Sequence, residues 1–344
     1  MTAPMPPGEA RRIARAISCV ENREDGFESL LERAYRLAAW PRVIGVTGPP
    51  GAGKSTLVDA LTAHWAHGGA RVAVLAIDPS SPYSGGAVLG DRIRRVRSSG
   101  MPNTYFRSLS ARGHVGGLTE TATDLVAVLN LFGFERVIVE TVGAGQSDVE
   151  VHETADCTVV VTVPGLGDGI QASKAGLMEI GDVFVVNKAD LPGADLAART
   201  VEQALAIAYH GAPSRHATAG ILALRRRHGD ALADARAWVP PVHSVVATDA
   251  RGVETLAQSV DAFLDWSAET GRVARHGRER AYAQVLRALS ALLLAPYTRA
   301  PGDETLPAPV APWIDRIAAG DASPLEAARA LAQGGHEDFG GGER

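Results

Sequence analysis

The sequence predicts an α/β fold: a mostly parallel, doubly wound sheet with helical extensions at its N-terminal and C-terminal ends. From Pro41 onwards, β-rich apolar runs alternate with helix-like segments: RVIGVTG, RVAVLAIDPS, RVIVETVG, DCTVVVTVPG, DVFVVNKAD and PPVHSVVA. These runs are nearly continuous in apolar residues, as strands covered by helices on both faces are. Before Pro41 and beyond about Val260 the strand signals stop and helical spacing takes over.

Taken in order, GEARRIARAISCVENREDGFESLLERAYRLAA places Ile13, Ile17 and Val20 on one helical stripe and Leu30, Leu31 and Leu37 on another. The strand-helix alternation follows. The tail holds two helical stretches, RERAYAQVLRALSALLLA and SPLEAARALAQ, joined by APYTRAPGDETLPAPVAPW, whose five prolines predict an extended connection. The expected organisation is a helical extension over 1–40, an α/β domain over 41–265, a helical region over 266–333 and a disordered tail over 334–344.

Composition narrows the function. With 46% hydrophobic and 21% charged residues the chain is globular, and a net charge of −5 gives no general electrostatic reason to bind nucleic acid or anionic lipid. DCTVVVTVPGLG is too short to span a bilayer, and Arg11, Arg12 and Arg15 precede no secretory apolar core, so no membrane association and a cytoplasmic location are expected. Cys19 and Cys157 lack CxxC spacing and read as reduced structural thiols.

The segment Gly48, Pro49, Pro50, Gly51, Ala52, Gly53, Lys54, Ser55 fits GxxxxGK[ST] between a β run and the helix STLVDALTAHWAHGG, which Thr56 continues. That context defines a phosphate loop. Its backbone amides curl around phosphate oxygens, Lys54 reaches the β and γ phosphates, and Ser55 offers a hydroxyl to Mg2+. Asp78 ends the second β run and Glu140 ends RVIVE in a Walker B-like position, while Asp91 follows the Gly/Ser/Pro-rich PSSPYSGGAVLG. With Ser55 these carboxylates form a hard-oxygen set for the metal, some acting through water. Glu140 to Gly143 also reads [DE]xxG, which puts the Gly143 amide at the γ-phosphate.

The base is read from VVNKAD. Asn187, Lys188 and Asp190 follow an apolar strand, and the terminal carboxylate pairs with the guanine N1–H and N2–H₂ donors that adenine lacks. GTP is therefore the expected substrate and GDP the product.

These motifs together resemble the MeaB/ArgK family of P-loop GTPases, relatives of the dimer-forming SIMIBI class that accompany adenosylcobalamin-dependent acyl-CoA mutases. The resemblance runs from about Arg11 to Gln333 and rests on ARAISCVENR, GPPGAGKSTLVDAL, IDPSSPYSGGAVLGDRIR, ARGHVGGL, ETVGAGQSD and NKAD. It implies a P-loop NTPase fold and a homodimeric GTPase chaperone, with dimer contacts from the C-terminal helices. The implied partner is methylmalonyl-CoA mutase or a close relative. The implied role is to gate cofactor loading and to protect or reactivate the mutase, with no cobalamin site of its own. By the same resemblance Lys54, Glu140 and Gly143 serve hydrolysis, Ser55, Asp78, Asp91 and Glu140 hold the metal, and Asp168, Gln171 and Lys174 in VPGLGDGIQASKAG form a switch that couples to the partner. Gly169 departs from the acidic residue common in that segment, and Val246 and Ala247 stand where the family has a Ser-Ala pair that supports guanine, which leaves only their backbone amides to help there.

Two rival readings stay open on sequence: a nickel-delivery maturation GTPase, which calls for clustered Cys/His ligands, and a small-molecule kinase, against which NKAD speaks. Arg107 and Arg112 are candidates for phosphate or partner contact, and His64 and His67 sit one helical turn apart, though each suits a solvated surface as well. Gln146 follows the switch glycine closely enough to orient an attacking water.

Overall fold

The computed structural model of the chain describes residues 6, 8–37, 39–78, 98, 100–110, 117–141, 147–165, 178–210, 228, 236–299 and 305–334. It divides the chain into two compact units, Met1–Arg280 and Ala281–Arg344.

In the first unit seven strands form one sheet in the order β3-β2-β4-β1-β5-β6-β7. They are β1 (Arg42–Thr47), β2 (Val72–Asp78), β3 (Thr104–Ser110), β4 (Arg136–Thr141), β5 (Cys157–Thr162), β6 (Val183–Asn187) and β7 (Val242–Val245). Every neighbouring pair is parallel, with Gly45 opposite Val139 on one side of β1 and Thr158 on the other. The helices are α1 (Glu9–Glu21), α2 (Phe27–Tyr35), α3 (Lys54–His67), α4 (Gly117–Leu131), α5 (Ser147–Thr154), α6 (Ala194–His210), α7 (Val253–Glu269) and α8 (Arg272–Leu294), within which the division between units falls.

Strand residues alternate between two cores. Ile44, Val46, Ile138, Val159 and Val185 pack with Leu57, Leu61 and Trp65 of α3 and Leu256, Val260 and Phe263 of α7. On the opposite face Val43, Val137 and Val139 pack with Ile13 and Ile17 of α1, Leu125 and Leu129 of α4 and Val151 of α5. Each such side chain contributes about 1.5–3 kcal/mol by leaving water, which is why both faces need helices and why the strands read as unbroken apolar runs.

Two details differ from the sequence expectation. β3 is a seventh strand, TYFRSLS, at the sheet edge, and its polar alternation hid it among loop residues. Leu37 lies beyond the end of α2 and is 42% exposed, so it belongs to no helical stripe. Among the described residues no helix is long and apolar enough to cross a membrane.

The amino-terminal edge of the sheet is fastened by two buried aspartates. Asp156, just before β5, accepts the Val43 N–H at 3.0 Å and meets Arg280 of α8 at 3.4 Å. Burial pushes its carboxyl above the usual range, against the pull of Arg280 and the Val43 amide. Asp182, just before β6, accepts the Thr158 N–H at 2.7 Å and meets His228 Nε2 at 2.6 Å and Arg272 of α8 at 3.5 Å. Tyr209 bonds the other nitrogen of His228. Both arginines also lie over aromatic rings, Arg272 on Phe263 at 4.9 Å and Arg280 on Trp40 at 5.4 Å.

The second unit holds the remainder of α8, then α9 (Ala311–Ala318) and α10 (Pro324–Gly334), where the Tyr297 hydroxyl donates to the Leu331 carbonyl at 3.0 Å. Tyr282, Val285, Leu286, Leu289, Leu292 and Leu293 of α8 are all exposed, at spacings of three and four that put them on one stripe.

Removing the Asp182 carboxylate strands a buried cation, a histidine and an amide together. Asp182→Ala is expected to cost about 3 kcal/mol or more in urea unfolding, the scale of breaking a buried ion pair from one side.

Candidate nucleotide-binding site

All seven strands end at one edge of the sheet, and the residues expected to bind nucleotide leave from that edge. β1 ends at Thr47 and passes directly into the phosphate loop. Gly48 has φ 142°, and a Cβ there would overlap the Val161 carbonyl oxygen of β5, so the loop leaves the strand through a turn that only glycine fits. Gly51 and Gly53 follow with φ 75° and 82°. α3 then begins at Lys54 with Gly53 as N-cap and no side-chain cap, leaving the first-turn amides for an anion.

Lys54 is 6% exposed and bends back over the loop, its ammonium donating to the carbonyls of Gly48 at 2.7 Å and Pro49 at 3.2 Å. Ser55 donates its hydroxyl to Glu140, which is buried at the end of β4. The backbone of Asp78 closes β2 at the same edge, two residues beyond Ala76, the register partner of Glu140. The serine hydroxyl and the buried carboxylate are hard oxygen donors already in contact, so this part of the set suits Mg2+.

Asn187, at the end of β6, joins the base loop to the phosphate loop. Its amide Nδ2 donates to the Ala52 carbonyl at 2.8 Å, and its Oδ1 accepts the Ala247 N–H at 3.2 Å. A Cβ on Gly53 would strike Nδ2, so the glycine is needed for closeness as well as for its φ. Lys188 takes a left-handed φ of 56° and lays its stem beside the loop, with Cε 4.0 Å from the place of a Gly53 Cβ. The Ala189 N–H donates to Val245 O at 3.1 Å and the Leu191 N–H to Lys188 O at 3.0 Å; this turn leaves Asp190 exposed for a ligand.

The two amides expected to support guanine both bond within the protein: Ala247 serves Asn187, and Val246 donates to Arg251 O at 3.0 Å. Arg107 also has a structural partner. It pairs with Glu21 and Ser18 of α1, which ties β3 to that helix. His64 and His67 are exposed at the end of α3, where His67 Nδ1 meets the Ala63 carbonyl at 2.7 Å. Among the described residues no group of three or more His, Cys, Asp or Glu could hold a metal ion. Asp91, Arg112, Gly143, Gln146, Asp168, Gly169, Gln171 and Lys174 lie outside the described residues.

Asp59 was missed in the sequence. It sits one turn beyond Ser55 on α3, is 3% exposed, and accepts both the backbone N–H of Ser98 at 3.0 Å and the Ser98 hydroxyl. An aspartate inside the apolar run LVDAL was its signal, because a buried carboxylate needs a partner.

A phosphate loop on α3, a hydroxyl–carboxylate pair beside it and an NKAD turn tied to it by Asn187 define a GTP-binding P-loop protein. The family model described as Methylmalonyl Co-A mutase-associated GTPase MeaB matches residues 13–300, and the chain belongs to that family and is a GTPase. A GTPase-named protein of Pyrococcus horikoshii is 40% identical over 278 residues, 81% of each chain. GTPase ArgK of Escherichia coli is 34% identical over 270 residues, 77% of this chain and 76% of ArgK. The fold is also that of the crystal structure of LAO/AO transport system kinase, with TM-score 0.58 and 22% identity over 95% of this chain and 93% of the other.

Because Asn187 bridges the phosphate loop and the NKAD turn, Asn187→Ala should weaken GTP and GDP alike, by roughly ten- to hundredfold, the loss expected for buried hydrogen bonds left unmade. Calorimetric titration with each nucleotide measures it.

Proposed function

We propose that this GTPase is a chaperone of an adenosylcobalamin-dependent acyl-CoA mutase, methylmalonyl-CoA mutase or a close relative. It gates cofactor loading and protects or reactivates the mutase. The observation that carries the reading is the match over residues 13–300 to a family described by its association with that mutase. GTP hydrolysis then serves as a timer: the γ-phosphate orders loops that the partner reads, and hydrolysis releases them.

Ser55 and Glu140, with Asp78 and Asp91, would hold Mg2+, which would neutralise negative charge on the phosphates as they react. Lys54 must leave the Gly48 and Pro49 carbonyls to meet the phosphates. Asp190 selects guanine, and the Gly143 amide addresses the γ-phosphate. Asp168, Gln171 and Lys174 carry the nucleotide state to the mutase. The cytoplasm suits the two free cysteines, Cys19 and Cys157.

The protein acts as a homodimer in this reading, through the helical region that follows the GTPase domain. The supporting feature is the exposed stripe Tyr282, Val285, Leu286, Leu289, Leu292 and Leu293, whose spacing is that of a helix seam. Leu289→Asp should yield a monomer in sedimentation velocity while GTP affinity stays within about twofold, since a charge in such a seam is left desolvated.

Hydrolysis measured with and without saturating methylmalonyl-CoA mutase tests the partner, and the mutase should accelerate it. Lys174→Ala should keep basal affinity and hydrolysis while losing most of that acceleration. An unchanged acceleration assigns the coupling elsewhere.

A further inference from the structure

β7 passes into α7 through the loop 246–251, which is closed on itself. The Val246 N–H donates to Arg251 O at 3.0 Å in an antiparallel bridge, and the Asp249 and Ala250 N–H groups bond back to Val246 O at 3.1 Å and Ala247 O at 3.3 Å. Ala250 takes a left-handed φ of 58° to make the turn. Gly252 ends it with φ 80° and is the N-cap of α7.

Conformation is half of what Gly252 supplies, and space is the other half. A Cβ there would lie 2.6 Å from the Ser244 carbonyl oxygen and 3.5 Å from Val245 Cα, so the chain entering α7 rests on the backbone of β7. Both sides of that contact are fastened. Ser244 is paired with Val186 of β6, and the first turn of α7 is seated in the core by Val253 and Leu256. An added methyl group must open the contact by roughly 0.7 Å to reach ordinary carbon–oxygen separation. The loop between the two fastened elements takes up that movement.

The same loop reaches the nucleotide site through one bond, from the Ala247 N–H to Asn187 Oδ1 at 3.2 Å. With its oxygen engaged there, the Asn187 amide turns Nδ2 to the Ala52 carbonyl of the phosphate loop at 2.8 Å. Ala247 and Asn187 are both buried, which leaves water poorly placed to replace a lost donor. A bond already at 3.2 Å has little length to give before it ceases to hold the amide.

We propose that Gly252 is a positioning residue for nucleotide binding: by letting α7 start against β7 it keeps the loop 246–251 closed, and the closed loop fixes the Asn187 amide that ties the NKAD turn to the phosphate loop. This rests on the reading of that turn and that loop as the nucleotide site. A helix start that merely needs a left-handed residue would also call for glycine, but it would not act through Asn187.

Calorimetric titration with GDP and with GTP of Gly252→Ala, Asn187→Ala, their double variant and Gly271→Ala tests it, with urea unfolding to show which variants fold. Gly252→Ala is expected to weaken both nucleotides together by roughly tenfold, the scale of a buried hydrogen bond left unmade. In the Asn187→Ala background the same substitution is expected to change affinity by less than about twofold, because residues that act through one bond are not additive. Gly271, just beyond α7, has φ 66° and nothing within 4 Å of a Cβ, so Gly271→Ala carries the backbone cost without the clash and should bind normally. Normal affinity in folded Gly252→Ala overturns the proposal. So do losses that multiply in the double variant, or an equal loss in Gly271→Ala, since either means that the glycine only stabilises the fold. If Gly252→Ala does not fold, Ala247→Pro removes the same N–H donor at the first position of a 3-10 turn that follows an extended residue, where proline fits. Normal affinity or multiplied losses there overturn the proposal. Normal affinity in Asn187→Ala overturns the reading of Asn187 as the bridge between the binding loops, whereas weak Asn187→Ala beside normal Gly252→Ala overturns only the role of Gly252.

Discussion

Parallel pairing throughout the sheet is the constraint from which the site follows. Because each strand runs the same way as its neighbours, the ends of β1, β2, β4 and β6 lie along one edge, and the phosphate loop after β1 meets the turn after β6 there. β1 is central, so its loop has β4 with Glu140 on one side and β5 with Val161 on the other. Asn187 reaches back from β6 across β5 to the phosphate loop. Distance in sequence, 135 residues between Asn187 and Ala52, becomes a single hydrogen bond. The cost of the arrangement is burial on both faces, met by α1, α4 and α5 on one side and α3 and α7 on the other.

The opposite edge carries charge that the nucleotide does not use. Buried carboxylates cost several kcal/mol each unless their oxygens are fully engaged. Asp156 and Asp182 are both engaged in the same pattern, one backbone amide from the neighbouring strand and one arginine from α8. The pattern fixes the starts of β5 and β6 in register and draws α8 against them. Arg280 belongs to both Asp156 and the last turn of α5, so that helix shares an anchor with the strand starts.

Local chemistry was legible in the sequence, and long-range partnership was not. Gly48 to Ser55 and NKAD could be read because a phosphate loop and a guanine turn are built from adjacent residues. The alternation of apolar runs gave six strands, since both faces are buried. β3 escaped because an edge strand carries polar residues, and Arg107 in it, open between phosphate or partner contact and a solvated surface, pairs with Glu21, 86 residues away. Asp59 looked like an interruption in an apolar helix until Ser98 supplied its hydrogen bonds. The amides of Val246 and Ala247, which the sequence offers to guanine, donate in the fold to Arg251 O and Asn187 Oδ1, partners that no local pattern announces.

Lys54 shows what the loop asks of its ligand. Burying an ammonium requires acceptors, and the loop provides its own in the carbonyls of Gly48 and Pro49. The loop is thereby held in shape by the group that, in the proposed function, turns to the phosphates. A phosphate oxygen adds charge on the acceptor side to the charge the ammonium already carries, which favours that exchange over the neutral carbonyls. The same strand that ends in this cradle touches α5 through Gly45, three residues earlier in RVIGVTG. One strand, fixed by ladders on both sides, thus carries the phosphate loop at its tip and the close contact with α5 at its middle.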